Sequence, residues 1–114
     1  MYQITRVDEA TVYQPARHYD MRATRLHNAC DVQGQLTAGL SHFLPGGGAE
    51  MGVTANELLY YIVEGEMTVT TDDGKAHILK AGDSIHFGVG QGRASQNTGA
   101  ETAKMLVISC PARE

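Results

Sequence analysis

The chain has no tryptophan and only two phenylalanines, so a large aromatic core is excluded. Its two cysteines, Cys30 and Cys110, are far apart and carry no metal-site spacing. That excludes a disulfide framework and a cysteine-bound zinc, and the default compartment is a reducing cytoplasm. No stretch approaches the ~20 apolar residues needed to span a bilayer. The first residues, MYQITRVDEA, contain acids and no apolar run, so they do not read as a signal peptide. The formal charge is −4 and no long run of one sign is present, which argues against nucleic acid and against a charged membrane surface as partners.

What is present is glycine, 13 in 114 residues, in a length that suits one domain. Residues 1–35 are mixed and polar, with YQITRV as one short strand, and read as an N-terminal arm. An arm of this kind lies along the domain or crosses to a second subunit, where it covers a sheet edge. Its His18, Arg22, Arg25 and His27 read as solvated surface.

From residue 36 the texture changes. LTAGLSHFL is a strand candidate with Leu36, Ala38, Leu40, His42 and Leu44 on one face, broken by Pro45 and three glycines. LLYYIV, residues 58–63, is apolar throughout and fits a strand buried on both faces. MTVTT and AHILK flank an Asp-Gly hairpin turn. SIHFG, RASQN and TAKMLVIS follow, separated by Gly-centred turns. About seven short strands without a helical window predict an all-β sandwich or barrel.

Two stretches organise this region: Gly46–Gly65, GGGAEMGVTANELLYYIVEG, and Gly82–Asn97, GDSIHFGVGQGRASQN. Their framework resembles the two motifs of the cupin superfamily. The glycines of the first motif fall on Gly46 and Gly65. The frame of the second falls on Gly82, Gly90 and Asn97, with Gly88 where proline is usual. The resemblance implies a single-domain jelly-roll β-barrel over residues 36–114, with residues 1–35 as the arm. It also implies homodimerisation.

In most cupins, four side chains in these motifs bind one transition metal. Those positions are Gly52, Thr54, Leu58 and Arg93 here. Three of the four cannot ligate, and a guanidinium repels a cation, so no metal at the usual site and no cofactor is expected. Glu57 does not rescue the site, because neighbours on a strand face opposite ways and Glu57 cannot share a face with Leu58. The alternative is one divalent metal at a site rebuilt from His42, His86 and Glu50.

An Arg93 that replaces a ligand histidine would point into the barrel, beside Leu58 and Tyr60. A guanidinium there needs a partner. Glu50 is one; an anionic ligand is the other, since the planar fork of arginine matches carboxylate or phosphate. Tyr60, inward by the same alignment, would orient the ligand or donate a proton. The expected function is therefore a barrel that binds a small anionic organic molecule, with Arg93, Tyr60, His42 and Glu50 as ligand-binding candidates. One alternative is a metal-independent isomerase, cyclase or lyase. There Arg93 would stabilise an oxyanion, and Tyr60, His42, His86 or Glu50 would move the proton. A second alternative is a metal-dependent oxygenase with a relocated site. Asn97 and Asp83 read as turn-fixing residues.

Overall fold

The structure, a computed structural model, describes residues 1–29 and 33–111; Cys30 lies outside the described residues. A short 3-10 turn at Val7–Glu9 is followed by nine strands: β1 (Val12–Tyr13), β2 (His18–Asn28), β3 (Thr37–Val53), β4 (Asn56–Glu64), β5 (Glu66–Thr71), β6 (Ala76–Lys80), β7 (Ser84–Phe87), β8 (Gly92–Gln96) and β9 (Ala103–Pro111). The main strand order is β6-β5-β8-β3-β9-β4-β7, with β2 on β3 and β1 on β2. The hairpin and Gly-centred turns expected from residue 65 onward are all present. YQITRV is not a strand; it runs unpaired into the 3-10 turn, which its last residue, Val7, begins.

Strand β3 is the element that makes a barrel of this sheet. Its first part pairs with β9 from Thr37 to Phe43, and its last part pairs with β8 from Gly48 to Val53. The sequence suggested that Pro45 and the glycines end the strand. Instead they bend it and carry it from its pairing with β9 to its pairing with β8. Gly46 takes a left-handed backbone with φ of 84°, and a Cβ on Gly48 would lie 2.0 Å from the Ser95 carbonyl oxygen. Only a residue without a side chain lets β3 approach β8 this closely. The other three framework glycines of the two motifs, Gly65, Gly82 and Gly90, also have φ between 85° and 93°.

The segment read as an arm contains a full strand. β2 runs antiparallel to β3 of the same chain, from His18 opposite Ala49 to Asn28 opposite Thr37. Its alternation is weak to the eye because only Met21 and Ala23 of its inward face are apolar, and Arg25 and His27 continue that face.

The core is small and aliphatic-rich. Phe43, Ile62, Met67, Val69, Phe87 and Met105 are almost fully buried. On β4 the inward residues Leu58, Tyr60 and Ile62 are buried, whereas Tyr61 and Val63 are exposed. The strand expected to be buried on both faces is therefore covered on one face only. Asn97 locks the β8 exit: its Nδ2 donates to the carbonyls of Phe43 and Glu101, and its Oδ1 accepts from the Gly99 N–H. Asp83 accepts from the Lys80 N–H in the β6–β7 turn. No helix among the described residues is long and apolar enough to cross a membrane.

Candidate functional site

Strand alternation builds the site. Leu58 and Tyr60 from β4, Ser41 and Phe43 from β3, Met105 and Val107 from β9, and Arg93 and Ser95 from β8 all line one internal cavity of about 270 Å³. That volume lies just below the roughly 300–1,000 Å³ typical of ligand clefts, so it suits a small metabolite.

Arg93 and Tyr60 meet in this cavity. Arg93 Nε donates to Tyr60 Oη over 3.3 Å, and Arg93 Nη1 donates to the Gly52 carbonyl over 3.1 Å. The Tyr60 ring packs edge-on against Phe87, with centroids 4.9 Å apart. Tyr60 Oη accepts from Arg93, so its own proton remains available to the cavity. β4 and β8 are not neighbours in the sheet order, so the bond crosses the barrel interior and the two side chains fix one another there.

The other sequence candidates lie elsewhere, and strand alternation is the reason. His42 is on the outer face of β3, opposite Arg22 on β2 and Lys104 on β9. It lines a separate external groove with Tyr19 and Leu44. Its Nδ1 is buried without a hydrogen-bond partner among the described residues. Burial, with help from Arg22 and Lys104, holds the His42 pKa below its ordinary value. His86 is on the outer face of β7, and its Nε2 meets Glu57 Oε2 at 2.6 Å on the surface. Glu50, suggested as a partner for Arg93, pairs with Arg17, with Oε2 3.5 Å from its Nε, at a smaller recess outside the main cavity that Arg93 also lines. His42, His86 and Glu50 do not converge.

Three residues read as surface from the sequence, His18, Arg25 and His27, line the cavity from the β2 side, together with Tyr13. Arg22, on the opposite face of β2, does not. The signal was the period of two through Met21, Ala23, Arg25 and His27, which was hidden because half of it is charged or polar. The Arg25 guanidinium sits 4.7 Å from the Tyr13 ring centroid, a cation–π contact. The described lining thus carries two arginines and two histidines and no carboxylate, in a chain whose formal charge is −4.

The metal-site positions do not fit a metal. Gly52 has no side chain, and a Cβ there would lie 3.4 Å from Arg17 Nη1 and 3.9 Å from Arg93 Nη1. Thr54 Oγ1 is spent on its own turn, donating to the Asn56 carbonyl and accepting from the Asn56 N–H. Leu58 is a buried hydrocarbon. Among the described residues, no three histidine, cysteine, aspartate or glutamate side chains gather as a metal would need.

The family model for the cupin domain matches residues 39–109. The chain belongs to the cupin family. A protein named beta-D-galactosidase from Mycobacterium tuberculosis is 32% identical over 106 residues, covering 92% of this chain and 90% of that one. An RmlC-like cupin from Shewanella frigidimarina superposes with a TM-score of 0.78 at 20% identity, covering all of this cupin and 95% of the other chain. A polyketide cyclase from Streptomyces resistomycificus superposes with a TM-score of 0.83 at 16% identity, covering 99% and 82%. These structural likenesses concern the fold; the chemistry has to be argued from the cavity.

Proposed function

We propose that this cupin binds a small organic anion in its barrel, held by Arg93 and Tyr60 without a metal at the usual site. The observation that carries the reading is the lining itself. Arg93 has a hydroxyl and a carbonyl as its described partners, and neither cancels its charge. A partly buried cation without a counter-charge is costly, and an anion that enters the cavity removes that cost. A carboxylate can take the remaining N–H groups of Arg93 and the proton of Tyr60 together.

A thermal-shift and calorimetry screen of small carboxylates tests this. At least one carboxylate should stabilise the native protein, and Arg93→Met should weaken its binding by about 10- to 100-fold, as expected for a lost charge-assisted contact of about 1.5–3 kcal/mol. Binding that survives Arg93→Met unchanged refutes the reading.

A second reading, hydrolysis of a galactoside, has the Mycobacterium tuberculosis relative in its favour. The described cavity lacks the carboxylate pair that most glycoside hydrolases use. A reaction here would have to use Tyr60, His18 or His27 as the proton-moving groups. Turnover of a nitrophenyl β-D-galactoside that falls in Tyr60→Phe would support this reading over simple binding.

A second copy of the chain in the cytoplasm is the proposed macromolecular partner. On the outer face Leu40, Leu106 and Tyr61 stand in one cross-strand row, with Val63 exposed beside them. An apolar row on the outside of a sheet is costly in water. Light scattering at micromolar concentration should give a dimer mass, and Tyr61→Lys should shift it to that of one chain.

A further inference from the structure

The register places the cations of the cavity at two poles. Arg25 stands opposite Gly39, Gly39 opposite Val107, and Val107 opposite Tyr60. Directly opposed residues of antiparallel strands project to the same side, so these four form one inward row across β2, β3, β9 and β4. The row begins at a guanidinium and ends at the hydroxyl that Arg93 holds. Three strand spacings of about 4.8 Å separate the outer α-carbons by about 14 Å, less the curvature of the barrel. The middle of the row has no side chain at Gly39 and a short apolar one at Val107. The next row inward, Ala23, Ser41, Met105 and Ile62, forms a largely apolar floor.

We infer that the ligand is a dianion, with one acidic group at Arg93–Tyr60 and a second at Arg25, joined by a short apolar or unsaturated spacer that lies over Gly39 and Val107. This rests on the anion-binding reading above and specifies its substrate class as short dicarboxylates or close equivalents. Arg25 lines the cavity yet is exposed to solvent, which puts it at the rim, and its described partner is the Tyr13 ring rather than a carboxylate. The ring holds the guanidinium of Arg25 by its face and leaves its in-plane N–H groups for an incoming acid. His27 flanks this end, opposite Ala38, whereas His18 stands opposite Ala49 near Arg93. A monoanion would satisfy the Arg93 end and leave the Arg25 end to water.

Calorimetry at one pH and ionic strength tests this, with straight-chain monocarboxylates and α,ω-dicarboxylates of increasing length. One dicarboxylate length should bind at least tenfold tighter than the monocarboxylate of the same carbon number, and shorter or longer diacids should fall away from it. Arg25→Met should abolish that gain and leave monocarboxylate affinity unchanged, and Arg25→Lys should keep part of it. Arg93→Met should weaken both series. The proposal is overturned if diacids bind no tighter than monoacids, if their affinity rises without a length optimum, or if the gain survives Arg25→Met. Monoacid binding that depends on Arg93 would still leave the anion-binding reading standing in those cases. Failure of every carboxylate to bind the native protein removes both.

Discussion

Replacing Tyr60 with phenylalanine removes one oxygen atom and keeps the ring that packs on Phe87. Tyr60 is 5% exposed, so its hydroxyl has little access to water on the β4 side. A hydrogen bond to a charged group contributes about 1.5–3 kcal/mol when its geometry is good. The Arg93–Tyr60 bond is 3.3 Å, longer than the usual 2.9–3.0 Å, and Arg93 is only half-buried, which lets water replace part of the contact. The contribution should therefore fall somewhat below that range, at about 1 kcal/mol, and the melting midpoint should fall by about 4 °C for a domain of this size. A double-mutant cycle isolates the term, because Arg93→Met removes the same bond from the other side. Urea unfolding of the native protein, both single variants and the double variant should give a coupling of about 1 kcal/mol, well above the usual additivity error of about 0.3–0.5 kcal/mol. A coupling indistinguishable from zero would mean that the two side chains do not meet in solution, and the argument from Arg93 to an anion would lose its anchor.

Three further outcomes follow from other parts of the molecule. The folded-state pKa of His42 lies below its ordinary value of 6.5, so the unfolded chain binds the proton more readily and stability should decline as pH falls below about 6.5. In His42→Gln, melts from pH 7.5 to 5 should show a flatter dependence; an unchanged slope contradicts the assignment. Asn97→Ala leaves the buried Phe43 carbonyl and its neighbours without their donor and should cost about 2–3 kcal/mol in urea unfolding. His86→Gln should cost less than about 1 kcal/mol and leave carboxylate binding unchanged, because the His86 and Glu57 side chains are 58% and 56% exposed. Loss of binding in that variant would place the ligand on the outer face, contrary to the cavity reading.

Much of the barrel could be read from residue order because its signals are local. A glycine in a left-handed turn, an Asp-Gly hairpin and a run of alternating β-branched residues each act over a few residues. The same locality fixed that Leu58 and Tyr60 share a face and that Glu57 does not join them. It also showed that three of the four usual metal-ligand positions hold residues that cannot ligate.

The tertiary structure decided what depends on partners far away in the chain. Alternation says which residues share a face, but not which face meets the core. On β3 the apolar-looking set of Leu40, His42 and Leu44 is on the outside, and the set containing Gly39, Ser41 and Phe43 faces in. On β2 the inward face begins with Met21 and Ala23 and ends with Arg25 and His27, a pattern that gives no hydrophobic period for half its length. Arg25 and His27 share that face because β2 is pinned by its backbone to β3; at the cavity rim Arg25 stays exposed to water and His27 is half-buried. The row from Arg25 to Tyr60 exists only because β9, distant in sequence, is inserted between β3 and β4 and all four strands stand in one register.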